Sequence, residues 1–235
     1  MKRIGLLRMC ELAEPARAAH GDYATVFRDF YAAHPVEIVD VPVHDGATPA
    51  SIDECDAWVI SGSPASTYED LPWIATGEEI VRSIVAAERP LFGICFGHQL
   101  MAQALGGRVE RADVGWGAGA HRYDVVERPA ATDVVLPDRL TVLAMHQDQV
   151  TEVPVDGSVW LRSEFCPNAG IAYGERAWSI QPHPEFTPRL VEALCRDRRL
   201  RLGPEVADAA IASLAQPLDG HLLADADVRR AAGAR

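Results

Sequence analysis

Basic residues are scarce in this chain. Lys and Arg number 22 against 34 Asp and Glu, a formal net charge of −12 over 235 residues. Binding to a phosphate backbone depends on clustered cations, so no nucleic-acid partner is expected. Long apolar runs are missing: none approaches the ~18 residues that a membrane span requires, so no membrane partner is expected either. The opening Met1-Lys2-Arg3 is too charged, and the apolar stretch after it too short, to read as a secretory leader. The five cysteines (Cys10, Cys55, Cys95, Cys166, Cys195) are scattered and odd in number, without a C-x-x-C pair. That pattern fits reduced thiols rather than a disulfide framework, and a cytoplasmic location is the expectation. What is present is ordinary globular composition, 48% hydrophobic and 24% charged. It excludes whole-chain disorder, a fibre or a coiled coil.

The first half alternates strand-like and helix-like stretches. Strands are predicted over Lys2–Met9, Val36–Val43, Ala57–Ile60 and Leu91–Ile94. Helices are predicted over Tyr23–Ala33, Leu71–Ala87 and Gln99–Leu105. This alternation implies βαβ units on a mostly parallel central sheet flanked by helices, an α/β fold. Between Arg108 and Trp178 the stretches shorten and become β-rich. Val109–Arg111, Tyr123–Val126, Leu140–Met145, Val159–Ser163, Ile171–Tyr173 and Trp178–Gln181 are candidate strands, with Gly174-Glu175-Arg176 as a hairpin connection. A small antiparallel β extension follows from them. Thr187–Arg199 reads as a helix, and residues 203–235 as an Ala-rich helical hairpin or a frayed tail. The expected division is a body at 1–202 and a C-terminal helical extension at 203–235.

The sharpest local signal is Gly93-Ile94-Cys95-Phe96-Gly97-His98-Gln99. A buried strand ends at Cys95, a helix follows, and glycines stand two residues away on each side. This is a nucleophile elbow with sulfur in place of hydroxyl. A sharp turn thrusts the side chain into a cleft, its crowded backbone tolerates only small neighbours, and the helix N-terminus favours a thiolate. The Phe96 backbone N–H then faces a developing oxyanion. The competing reading is a small buried core cysteine, which leaves the paired glycines unexplained. A nucleophilic thiol needs a base, and the base needs an orienter. Gln181-Pro182-His183-Pro184-Glu185 supplies both: His183 and Glu185 are two apart, project to one side of extended chain, and are stiffened by Pro184. A surface turn is the bland alternative.

The G-I-C-F-G-H-Q string and the later H-P-E resemble the class I (triad) glutamine amidotransferases. The resemblance covers roughly residues 2–199 and is nearest to free-standing members similar to the amidotransferase domain of GMP synthase. His20-Gly21-Asp22-Tyr23, Gly115 to Tyr123 and His146-Gln147-Asp148-Gln149-Val150 add to it. It implies a flavodoxin-like sheet and a cysteine hydrolase without cofactor. Cys95 would attack the side-chain amide of glutamine or another γ-glutamyl compound, with His183 as base and then acid, and Glu185 orienting it. A γ-glutamyl thioester would form and be hydrolysed. The oxyanion hole would use the N–H groups of Gly62 and Phe96. Gly62 sits in Ser61-Gly62-Ser63-Pro64, where the family carries Gly-Gly-Pro or a close variant. Gln99, Gln147 and Asp148 would border the glutamine pocket. Ammonia would pass to a separate synthase subunit, or the chain would act alone as a γ-glutamyl peptidase or hydrolase. A regulatory subunit with an unused pocket is the non-enzymatic alternative, disfavoured because Cys95, His183 and Glu185 are all present. A chaperone or deglycase with a similar elbow leaves the H-P-E unexplained.

Other features read as structure. His146-Gln147-Asp148 offers too few ligands for a metal, which wants three or four. Gly115–Gly119 lacks phosphate-loop spacing and reads as a turn with Trp116 packed on the sheet. The five tryptophans read as core or rim. Asp22 reads as a helix N-cap, with His20 and Asp22 at the edge of the cleft as the alternative.

Overall fold

A computed structural model describes residues 1–14, 16–128 and 134–233. A nine-stranded sheet runs through the molecule in the order β2-β1-β3-β4-β11-β10-β9-β6-β7. Its parallel half is β1 (Lys2–Arg8), β2 (Val36–Pro42), β3 (Ala57–Ile60), β4 (Leu91–Ile94) and β11 (Ala177–Ile180). Its antiparallel half is β10 (Gly170–Tyr173), β9 (Gly157–Arg162), β6 (Gly117–Val125) and β7 (Arg139–His146). Strands β5 (Arg108–Arg111) and β8 (Asp148–Glu152) form a separate antiparallel pair. An α/β fold with a large mixed central sheet flanked by helices, and a small separate antiparallel pair, is the observed architecture.

Strands β3, β4, β10 and β11 are buried along their whole length, as expected where both sheet faces are covered. Successive side chains point to opposite faces. Ile4, Leu6, Ala57 and Val59 therefore enter one core, while Leu7, Met9, Trp58 and Ile60 enter the other. Helix α2 (Tyr23–Phe30), α3 (Pro72–Ala86) and α4 (Phe96–Ala104) lie along the parallel half, with a short α1 (Ala16–His20) ahead of α2. Helix α2 is N-capped by Asp22, whose carboxylate accepts the Thr25 N–H at 2.6 Å. Helix α5 (Pro188–Asp197) starts at Thr187, whose hydroxyl caps Leu190 N, and buries Leu190, Val191, Leu194 and Cys195.

Residues 204–233 are anchored rather than frayed. After a short α6 (Arg199–Leu202), α7 (Pro204–Ser213) lies on β6, and Ser213 Oγ accepts Ala120 N–H at 2.8 Å. Helix α8 (Gly220–Ala232) buries Asp227, which accepts Tyr31 OH at 2.7 Å and Trp178 Nε1 at 3.3 Å. Just before it, Asp219 exchanges two hydrogen bonds with the Thr141 backbone, at 2.8 and 2.9 Å. Residues 234 and 235 of the expected extension lie outside the described residues. No helix among the described residues is long and apolar enough to cross a membrane.

Among the differences from the sequence expectation, three have a clear physical reason. Helix α4 begins at Phe96, three residues before Gln99, because the elbow starts the helix at once despite weak formers at Gly97 and His98. Strand β6 begins at Gly117, where a turn over Gly115–Gly119 was expected. Its small residues let α7 approach: a Cβ on Gly119 would lie 2.7 Å from the Ala210 backbone. Strand β8, with the polar run Asp-Gln-Val-Thr-Glu, was not foreseen; it pairs with β5 alone and needs no continuous apolar face.

Candidate active site

Strand order reverses between β1 and β3, which places a cleft at the carboxyl ends of the parallel strands. Four chain ends converge there: Met9–Cys10 after β1, Ser61–Gly62 after β3, Cys95 after β4, and Gln181–Glu185 after β11. Cys95 sits at φ 53°, ψ −102°, one of two non-glycine residues with positive φ among those described. Such a conformation costs of order 1–3 kcal/mol and persists only where neighbours enforce it. The enforcement is visible. A Cβ on Gly93 would lie 2.7 Å from the Gly97 carbonyl, and one on Gly97 would lie 2.6 Å from the Ile60 carbonyl. Both glycines are required by close approach, so α4 is pressed against β3 and β4 and the Cys95 side chain is turned into the cleft.

His183 is brought to the same cleft by β11 and by a backbone bond from its N–H to Leu143 O at 2.6 Å. Its Nδ1 lies 2.7 Å from Glu185 Oε1, and its ring stacks on Phe186 at 3.9 Å and 4°. Cys95, His183 and Glu185 are each 4–5% exposed. Burial alone would lower the imidazole. The facing Cys95 sulfur and the Glu185 carboxylate, the latter hydrogen-bonded to the ring, outweigh it and raise His183 to about 10. The arrangement thus sets a buried imidazole between the Cys95 sulfur and the Glu185 carboxyl group, poised for proton transfer at the sulfur.

Two residues that sequence reasoning passed over complete the site. Tyr23 OH donates to Glu185 Oε1 at 3.0 Å, and burial, with Glu185 beside it, keeps the phenol neutral well above its usual range. Gln181 Nε2 donates toward Cys95 Sγ at 3.6 Å. Gln181 directly precedes Pro182-His183, a position that could have drawn notice; Tyr23 lies 162 positions from Glu185 and only the fold joins them.

Gly62 lies beside the base, since a Cβ there would be 2.8 Å from His183 Cε1 and 2.9 Å from Tyr23 OH. Phe96 is the first residue of α4, where a backbone N–H has no partner within the helix. Gln99 Nε2 donates to Asp148 O at 2.8 Å and to Gln181 Oε1 at 3.1 Å, so its amide braces the wall of the site. Gln147 and Asp148 line the hollow beside Cys95, and Ser66 Oγ holds Asp148 Oδ2 at 2.5 Å. His146 is buried and lowered to about 3 by that burial, hence neutral; its ring Nδ1 lies 3.2 Å from Asp148 O. His20 and Asp22 line neither hollow at Cys95. Trp58, Trp160 and Trp178 are core, whereas Trp116 lies at the rim beneath the Arg201 guanidinium, 5.0 Å away. No group of three or more metal-ligating side chains gathers among the described residues.

The fold and this constellation define a class. The family model for class-I glutamine amidotransferase matches residues 25–198, and the chain belongs to that family. Gamma-glutamyl peptidase 3 of Arabidopsis thaliana is 30% identical over 228 residues, covering 92% of this chain and 91% of the relative. The glutamine-hydrolyzing GMP synthase of Methanopyrus kandleri has one subunit that is 31% identical over 176 residues, covering 71% of this chain and 86% of the relative. A glutamine amidotransferase structure from Thermotoga maritima superposes with a TM-score of 0.78 at 20% identity, over 98% of this chain and 96% of that one.

Proposed function

We propose that the protein is a cysteine hydrolase of γ-glutamyl amides, glutamine among them, working through a γ-glutamyl thioester on Cys95. The observation that carries this reading is the strained Cys95 elbow facing a buried His183 that Glu185 holds at 2.7 Å. In the first half-reaction Cys95 Sγ attacks the side-chain carbonyl carbon, and the N–H groups of Gly62 and Phe96 stabilise the oxyanion. His183 gives its proton to the departing nitrogen. In the second half-reaction His183 takes a proton from water, which opens the thioester to glutamate and frees the thiol. Glu185 fixes the imidazole tautomer and stabilises its charged form, as an orienting carboxylate does. Gln99, Gln147 and Asp148 border the γ-glutamyl moiety. Residues 1–202 hold the catalytic body, and in the extension at 203–235 the helices α7 and α8 act as a buttress.

Two relatives of comparable identity point to different fates of the nitrogen. One is named a gamma-glutamyl peptidase and the other is part of a GMP synthase. Coverage of nearly the whole length of the peptidase favours hydrolysis without an acceptor. In the second reading ammonia passes to a separate synthase subunit, with cytoplasmic glutamine as donor. The test is glutamate release from glutamine and from γ-glutamyl peptides by the purified chain, with Cys95→Ala as blank. Release that needs Cys95 but no partner supports the reading; equal release by the blank overturns it.

A further inference from the structure

Two hollows open onto Cys95, and they differ in chemistry. Both include Ser63, Pro64, Cys95, Met145 and Arg198, so one ligand can thread across the sulfur. The first holds Gln99, Gln147 and Asp148, with Arg111 and Arg201, and does not reach His183. The second holds His183 and is walled by Leu12, Ala13, Phe186 and Leu194. The departing nitrogen must collect its proton from His183, so it leaves on the side of the second hollow. The γ-glutamyl group then occupies the polar hollow, where Arg111 and Arg201 can meet its carboxylate. Ammonia alone needs no apolar room on the leaving side.

Charge at the far end narrows the choice. Glu11 lines the apolar hollow, but its carboxylate is already paired with Arg8 at 3.0 Å. Arg198, half-buried at the junction, has no ion-pair partner among the described residues. Resting on the catalytic reading above, we infer that the second hollow is a leaving-group subsite for an apolar amino acid. The substrate class is γ-glutamyl dipeptides whose second residue is large and apolar, its side chain against Leu12, Phe186 and Leu194 and its carboxylate toward Arg198. The step balances. Cys95 Sγ bonds to the acyl carbon, the C–N bond breaks, and the His183 proton passes to nitrogen. The free amino acid departs, and water later releases glutamate and restores the thiol.

The test compares kcat/KM for γ-glutamyl-phenylalanine, γ-glutamyl-phenethylamide and glutamine in the intact protein, Arg198→Gln and Ala13→Trp. The phenylalanine dipeptide is expected to exceed glutamine by on the order of 10- to 100-fold, the range one hydrophobic subsite gives. Arg198→Gln should erase the advantage of the dipeptide over the phenethylamide, which lacks the carboxylate. Ala13→Trp, on an exposed lining position, should lower the dipeptide-to-glutamine ratio about tenfold. Cys95-dependent glutaminase activity with no preference for the dipeptide overturns the subsite and leaves the catalytic reading standing. No Cys95-dependent cleavage of any of the three overturns both.

Discussion

Tyr23 and Glu185 meet in the buried interior, the phenol donating to Oε1 at 3.0 Å, on the same oxygen that faces His183 at 2.7 Å. The orienting carboxylate is therefore itself oriented. Its other oxygen, Oε2, is buried without a hydrogen-bond partner among the described atoms, so Tyr23 carries more of its positioning than a surface donor would. Tyr23→Phe removes one hydrogen bond, worth about 1 kcal/mol. We expect kcat to fall roughly fivefold with KM near the parent value. An unchanged kcat with lowered thermal stability would reduce Tyr23 to a packing role. Glu185→Gln should retain partial activity, because the residue orients and does not react.

Strain at Cys95 predicts a trade of stability against function. Cys95→Ala keeps the Cβ that the φ of 53° disfavours, whereas Cys95→Gly removes it. Both abolish turnover. The glycine variant should be more stable than the alanine variant by about 1–3 kcal/mol in urea unfolding. Equal stabilities would mean that the elbow is relaxed.

His183 provides a pH signature. Its native value near 10 lies above the ordinary 6.5. A group raised in the folded state contributes stability that is full below about 6.5 and is lost as pH rises through about 10. The ring resonances should accordingly titrate near 10. The Cys95 sulfur raises the imidazole more than any other neighbour does. In Cys95→Ala the midpoint should therefore drop, and stability should fall less between pH 7 and 10 than in the parent. A parent midpoint near 6.5 would contradict the ion-pair description.

The C-terminal helices bear on the site at one point. A Cβ on Gly220 would lie 2.7 Å from Pro184 O, inside the turn that joins His183 to Glu185. Gly220→Ala should push this turn, lowering kcat and slowing selective alkylation of Cys95, with a stability loss of about 1–3 kcal/mol. Full activity would show that α8 does not support the triad.

Two central strands of the parallel half were legible because they are short, wholly apolar and flanked by glycine or proline. These are Leu91–Ile94 and Ala57–Ile60, and their bounds match the structure. The elbow was legible because its chemistry demands glycine at two fixed offsets. Strand β8 and the start of β6 were not, since a polar edge strand and a Gly-Ala strand under a helix carry no alternating apolar signal. Tyr23 and Gln181 escaped for another reason. Their contribution depends on long-range contacts, at separations of 162 and 86 residues, that local pattern does not encode.

The most direct test of the central claim is intact-protein mass spectrometry after acid quenching during turnover of a γ-glutamyl amide. The account predicts a mass gain of one glutamate less one water, mapped to Cys95, present in Glu185→Gln and absent in Cys95→Ala. Steady glutamate release with no adduct on Cys95, undiminished in Cys95→Ala, would contradict it.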